Sequence, residues 1–299
     1  MWRACRSSER ALKGRACVRI RSLIAGCLAL ALGAQGAAHP DLELQIEEVS
    51  SAIGERPLDA DLLLKRGDLY RRHGQWLEAE RDFASARSLE PDNPEIDWLE
   101  GRLFVDAGRN GEAVVVLTRF IESAPAHSAA YRYRAKARWL GNDPQGAAND
   151  FFAAIETSMR PAPAMYRSLA IARNASGQAT QAQLVIDEGL DRFPGEISLL
   201  GLAVDISIAA NQTDAALAYL GHLPDSSLQL PQWMLREALL RCIRESDSSQ
   251  DHFAALRVEG ALRGSMSESV QKLLDQMPLQ PDPAACRSVA LSMCASHEP

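Results

Sequence analysis

Residues Arg66 to Asp92 read RGDLYRRHGQWLEAERDFASARSLEPD. Two short helical patterns sit on either side of a break: one around Leu69-Tyr70, the other from Ala79 to Leu89. The break is His73-Gly74-Gln75, where glycine allows a turn that other residues resist. Neither half carries a group that does chemistry.

The unit recurs. The small residue of its first helix returns as Gly67, Gly101, Ala135, Ala170 and Val204, at spacings of 34, 34, 35 and 34. Ala79, Ala113, Ala147, Ala182 and Ala216 open the second helices at the same spacings. One helical turn later stand Phe83, Leu117, Phe151, Ile186 and Leu220, and Pro91, Pro125, Met159 and Pro194 close the units. Small residues let two helix axes approach, and the large residue one turn on fills the gap between them. Gly74, Gly108 and Gly177 fall between helices, where a tight or left-handed turn is needed. Asp59, Asn93 with Pro94, and Asp143 with Pro144 read as N-caps with proline in the first turn where it is present.

The first unit, Leu63-x2-Arg66-Gly67-x2-Tyr70, then Ala79-x3-Phe83-x2-Ala86 and Pro91, resembles the tetratricopeptide repeat. The family would place tryptophan at Leu63 and leucine at Arg66. The resemblance implies an all-α fold: an α-solenoid of helix-turn-helix repeats, here five units over residues 57–224, closed by capping helices. It implies binding to other proteins, with ligands along the concave surface lined by first helices. It departs from the clamp such repeats use on chaperone tails, because Leu64 and Asp68 stand where that clamp has lysine and asparagine.

The flanks supply candidate caps. In DLELQIEEVSSAIG, Leu42, Ile46, Val49 and Ile53 share one helical face, which predicts an N-terminal capping helix within residues 39–56. After the array, PQWMLREALLRCIRE puts Ala238 one repeat length past Val204. It starts a degenerate sixth unit whose second helix would carry Ala254, Val258 and Ala261. Two further helices, Ser267–Met277 and Pro283–Ala295, complete the region 225–299, the last capped by Asp282.

Residues 1–38 read differently. Seven Lys/Arg precede LIAGCLALALGAQGAA, an apolar run that ends in small residues. That is the pattern of a secretory signal cleaved after Ala38, and the run is short of the ~20 residues of a membrane span. Ile24-Ala25-Gly26-Cys27 resembles a lipobox, but most of the apolar core follows Cys27 rather than preceding it. Without this leader the formal charge falls from −7 to −13, with 25 basic against 38 acidic residues. That balance argues against nucleic acid or an anionic membrane surface as partner. The expected location is the periplasm or beyond.

Three cysteines then remain. Cys286 and Cys294 lie eight apart on a helix, roughly 12 Å, too far to bridge each other. Either Cys242 bridges one of them or all three are buried thiols. With His252 and His297 they form the one candidate cluster for a metal- or thiol-dependent accessory activity, the alternative to a scaffold.

A search for other chemistry finds no P-loop, G-x-S-x-G, H-E-x-x-H or C-x-x-C. His73 and His127 read as surface residues. Cleavage after Gly36 would start the chain Ala37-Ala38-His39, a square-planar Cu(II) or Ni(II) ligand set that arises by chance, and no metal or cofactor is expected. The groove positions flanking the packing residues are Leu64, Asp68 and Arg71; Trp98, Arg102 and Val105; Arg132, Tyr133, Lys136 and Trp139; Arg167, Ile171 and Asn174; then Gly201, Asp205 and Ile208. Its middle is basic and aromatic. Arg71, Trp98, Arg102, Arg132, Tyr133, Lys136, Trp139, Arg167 and Asn174 are therefore the candidate ligand residues, suited to an acidic partner segment that also carries apolar side chains. The expected role is a non-enzymatic adaptor of the bacterial cell envelope.

Overall fold

The structure, a computed structural model, describes residues 40–244 and 283–294. The leader, the helices expected around Ala254–Ala261 and Ser267–Met277, the cap Asp282, and His39, His252 and His297 lie outside the described residues. Among the described residues every regular element is α-helical. The chain divides into two compact units, Met1–Leu89 and Glu90–Pro299.

The first unit holds α1 (Pro40–Glu55), α2 (Ala60–His73) and α3 (Trp76–Leu89). Asp59 caps α2 by accepting a bond from the Leu62 amide, and Gly74 ends it at φ 82°. The hairpin is set by one contact: a methyl group on Gly67 would lie 2.4 Å from Phe83 Cε1. Arg66 of α2 donates to both oxygens of Asp82 on α3, at 2.8 and 2.7 Å, and to Ser50 Oγ of α1 at 3.2 Å. Leu42 and Val49 of α1 pack with Leu69 of α2.

Helix α1 holds a second-helix place in the repeat register. Val49 and Pro57 stand one repeat length before Phe83 and Pro91. At the position of Ala79, however, stands Gln45, exposed beside exposed Leu44 and Glu48. A long polar side chain replaces the alanine that close helix approach requires, which suits the solvated end of a repeat stack.

The second unit begins with four hairpins: α4 (Pro94–Asp106) and α5 (Asn110–Ser123), α6 (Ser128–Leu140) and α7 (Pro144–Glu156), α8 (Pro163–Ala175) and α9 (Ala179–Arg192), α10 (Ile197–Ala209) and α11 (Thr213–Leu220). Short α12 (Asp225–Leu228), α13 (Pro231–Ile243) and α14 (Pro283–Cys294) follow. Asn93 caps α4 and Asp143 caps α7, each with proline at the helix start. Gly108 and Gly177 take positive φ in their turns, and in the remaining two hairpins Asn142 and Asn211 do so instead, at 61° and 62°. Asparagine tolerates this conformation better than most side chains.

Thr118, Arg134 and Asp150 repeat the Ser50–Arg66–Asp82 arrangement two repeats further on. Arg134 donates to Asp150 at 2.9 and 2.7 Å and to Thr118 Oγ1 at 3.1 Å. The equivalent of Arg66 in α4 is Glu100 and that of Asp82 in α5 is Val116, so the pair skips the intervening hairpin.

Two expectations are resolved at the end of the chain. The cysteines are not three thiols: Cys242 of α13 and Cys286 of α14 are joined, with S–S 2.11 Å and Cα–Cα 6.3 Å, leaving Cys294 free. The other is a correction. Gly201, Asp205 and Ile208, expected to line an open groove, are buried, because α10 is covered along its whole length from Leu199 to Ile208.

Candidate functional site

The first helices α4, α6 and α8 present the expected groove positions, and the structure sorts them. Trp98 of α4 is a wedge at the α4–α6 junction. Its ring lies 5.2 Å from that of Tyr133, edge-on, 5.6 Å from Phe120 and 4.8 Å from His127. Arg102, one turn along α4, places its guanidinium 5.4 Å from the Trp98 ring and 5.9 Å from the Tyr133 ring. A cation held between two aromatic faces is attracted by both and loses little freedom when it meets a ligand. His127 is no plain surface residue: its Nδ1 accepts from the Ala130 amide at 3.1 Å, capping α6, while its ring packs on Trp98 and Phe120.

On α6, Arg132, Tyr133, Lys136 and Trp139 come together. With Leu140, Phe151 of α7 and Ser168 of α8 they line a cavity of about 340 Å³. Tyr133, Trp139, Leu140 and Phe151 supply apolar wall. Arg132 and Lys136 are exposed, and their i, i+4 spacing puts both on one face of α6 about 6 Å apart.

Arg132 and Lys136 differ in pairing from Arg134 and Arg138 of the same helix. Arg134 and Arg138 both donate to Asp150, Arg66 to Asp82, Arg236 to Asp205, and Arg119 to Asp97. The Asp97 bond holds the Arg119 guanidinium above its ordinary value. Among the described residues, Arg132 and Lys136 make no ion pair. Asp150 thus takes up the charge of Arg134 and Arg138 and leaves that of Arg132 and Lys136 facing outward.

The remaining candidates lie elsewhere. Arg71, in the first unit, is buried and donates to Asp68 at 2.9 Å, so its charge turns inward. Leu64, Val105 and Ile171 are buried core residues. Arg167 is half-buried and Asn174 exposed on α8, and neither lines the cavity. Leu140, Phe151 and Ser168 are lining residues that sequence reasoning did not place there. Leu140 adjoins Trp139 on the same helix, while Phe151 is a packing residue of the repeat that also lines the cavity.

Two of the five residues of the metal- or thiol-dependent alternative are engaged with each other. Cys242 and Cys286 are bonded to each other, and burial pushes the Cys294 thiol up to about 12, with the charge of Asp205 adding to the effect. Among the described residues no three His, Cys, Asp or Glu side chains cluster to hold a metal. No described helix is long and apolar enough to cross a membrane.

Comparison with known proteins gives the same architecture. A family model described as tetratricopeptide repeat matches residues 64–114 and 98–166. A tetratricopeptide-repeat protein from Cytophaga hutchinsonii, solved as its C-terminal part, is similar at TM-score 0.63 and 12% identity, over 78% of this chain and 94% of that one. PilW, titled a widely conserved type IV pilus biogenesis factor, is similar at TM-score 0.51 and 15% identity, over 72% and 98%. A tetratricopeptide-repeat protein from Parabacteroides merdae is similar at TM-score 0.50 and 18% identity, over 79% and 92%. No curated protein sequence matches. The repeat register, the hairpins it folds into and these likenesses lead to one assignment: the chain carries tetratricopeptide repeats, matched over residues 64–166, in an all-α fold shared with other tetratricopeptide-repeat proteins.

Proposed function

We propose that the protein is a non-enzymatic scaffold of the bacterial cell envelope that captures an acidic segment of a partner protein on the first-helix face of its second unit. The observation that carries this is the pair Arg132 and Lys136: exposed, without ion-pair partners, at the rim of an apolar cavity in a chain of net charge −7. A partner carboxylate gains a charge-assisted bond to Arg132 or Lys136. A neighbouring apolar side chain enters between Tyr133, Trp139 and Phe151, and the Arg102 guanidinium between its two rings extends the cationic strip along the same face. The repeat fold supports an interaction role, because stacked helix hairpins of this family form surfaces on which other proteins bind.

Three features support the envelope location. They are the basic leader of residues 1–38, its apolar run ending in small residues, and the disulfide Cys242–Cys286, which forms and persists in oxidising compartments.

The test is an array of short peptides, each with one aromatic residue flanked by Asp or Glu, beside matched peptides flanked by Lys or Ser. Binding that requires both the acidic flanks and the aromatic residue supports the reading. Equal signals from acidic and neutral flanks would remove Arg132 and Lys136 from it.

A further inference from the structure

The face that carries the cavity does not stay open to the end of the second unit. Along the repeat, Arg102 of α4 and Lys136 of α6 correspond to Ile171 of α8 and Asp205 of α10. Val105 and Trp139 correspond to Asn174, Ile208 and, one repeat further on, Cys242 of α13. Asp205 thus stands in the register of Arg102 and Lys136, which buried Ile171 shares, and Cys242 in that of Trp139 and buried Val105. Asp205 is held by Arg236 of α13, and both it and Cys242 are engaged by the chain's own last described helix. Cys242 is bonded to Cys286 of α14, and the Cys294 thiol, at the other end of α14, lies 3.7 Å from Asp205 Oδ1.

Helix α14 packs against α10 and α13, two successive first helices. Its apolar side is Cys286, Val289, Ala290 and Met293, spaced i, i+3, i+4, i+7, with Cys286 and Ala290 fully buried. Arg287, Ser288 and Leu291 face outward, exposed. That is how an amphipathic helix seats itself in a partner's groove, here within one chain. The consequence is visible on α10, whose burial on every side is that of a helix with no solvent-facing stripe.

We propose that α14 is a built-in occupant of the ligand face, latched by Cys242–Cys286, which confines the partner groove to α4, α6 and α8 while the bond is intact. The latch rests on the groove reading given above. The bond keeps α14 at high effective concentration beside α10, so a partner helix cannot displace it. Reduction by a dithiol releases it: the reductant's two thiols become a disulfide, and Cys242 and Cys286 each take up one electron and one proton. The face of α10 and α13 then opens as a second surface, shaped for an amphipathic helix of α14's pattern. Both bonded cysteines are buried, at 4% and 0% exposure, so reduction requires α14 to lift first, and the latch responds to strong reductants rather than to passing thiols.

Hydrogen exchange on the full chain tests this, oxidised and after reduction with dithiothreitol confirmed by intact mass, beside Cys286→Ser. Amides of Ile197–Ala209 and Pro283–Cys294 should exchange about tenfold or more faster without the bond, while those of α4 to α7 keep their protection. Unchanged exchange at α10 in fully reduced protein would overturn the latch. So would loss of protection throughout the second unit, which would make the bond a general staple. Charge reversal at Arg132 and Lys136 leaves this readout untouched, so the latch and the groove reading fail separately.

Discussion

Arg134 and Asp150 form a two-pronged ion pair between α6 and α7, with Nε to Oδ2 at 2.9 Å and Nη2 to Oδ1 at 2.7 Å. Arg138 adds a third bond to Asp150 at 2.9 Å, and the carboxylate is only 2% exposed. Asp82 receives a similar fork from Arg66 alone, and Arg66 is more exposed than Arg134. Removing one partner of a buried pair leaves the other charge uncompensated, at a cost of about 3 kcal/mol where both are well buried. Asp150→Ala, which strands two guanidinium groups, should therefore destabilise more than Asp82→Ala, which strands one that water reaches. Urea midpoints of the two variants measure this, and the reverse order would contradict the role given to Asp150.

Gly101 and Leu117 are pressed together as Gly67 and Phe83 are. A methyl group on Gly101 would sit 2.5 Å from Leu117 Cδ2 and Cγ. Gly101→Ala should cost about 1–3 kcal/mol through overpacking, despite alanine's advantage of up to ~1 kcal/mol in a helix. Gly111 has open space around its Cα, so Gly111→Ala should stabilise by about 0.5 kcal/mol. Thermal melts of the pair should shift in opposite directions; a stabilising Gly101→Ala would mean the hairpin is not set by that contact.

Cys294 should be a slow thiol. Burial raises its pKa to about 12, so at pH 8 the thiolate that reacts with iodoacetamide is scarce, and alkylation should run at least ~100-fold slower than on free cysteine. The folded value lies above the ordinary 9.0, so the neutral thiol stabilises the fold fully below that pH, and the contribution is lost as pH rises towards 12. Rapid alkylation at pH 8 in oxidised protein would show that α14 does not hold Cys294 against Asp205.

The repeat register is legible because one packing rule recurs: Gly67 under Phe83 and Gly101 under Leu117 are the same contact in successive repeats. The turns at Asn142 and Asn211 are less legible, since asparagine adopts the left-handed conformation without advertising it as glycine does. Four site residues, Arg132, Tyr133, Lys136 and Trp139, fall close together because one helix carries them all. Phe151 and Ser168 complete the cavity from other helices, which helical spacing alone cannot reveal. The burial of Asp205 and Ile208 was hidden for a similar reason: α14, which covers α10, is distant from it along the chain. Arg71 differs again, because its burial turns the charge onto Asp68, one turn back on the same helix, and helical spacing does not distinguish that from a solvated arginine.

The central claim is that Arg132 and Lys136 hold a partner. The direct measurement is capture from envelope extract of the source organism on immobilised protein, wild type beside Arg132→Glu/Lys136→Glu, quantified by mass spectrometry, with circular dichroism confirming equal folding. At least one protein should be retained by the wild type, lost by the double variant, and bound by purified wild type at least about tenfold more tightly, a difference of ~1.4 kcal/mol. Identical captured sets from two equally folded proteins would contradict the account.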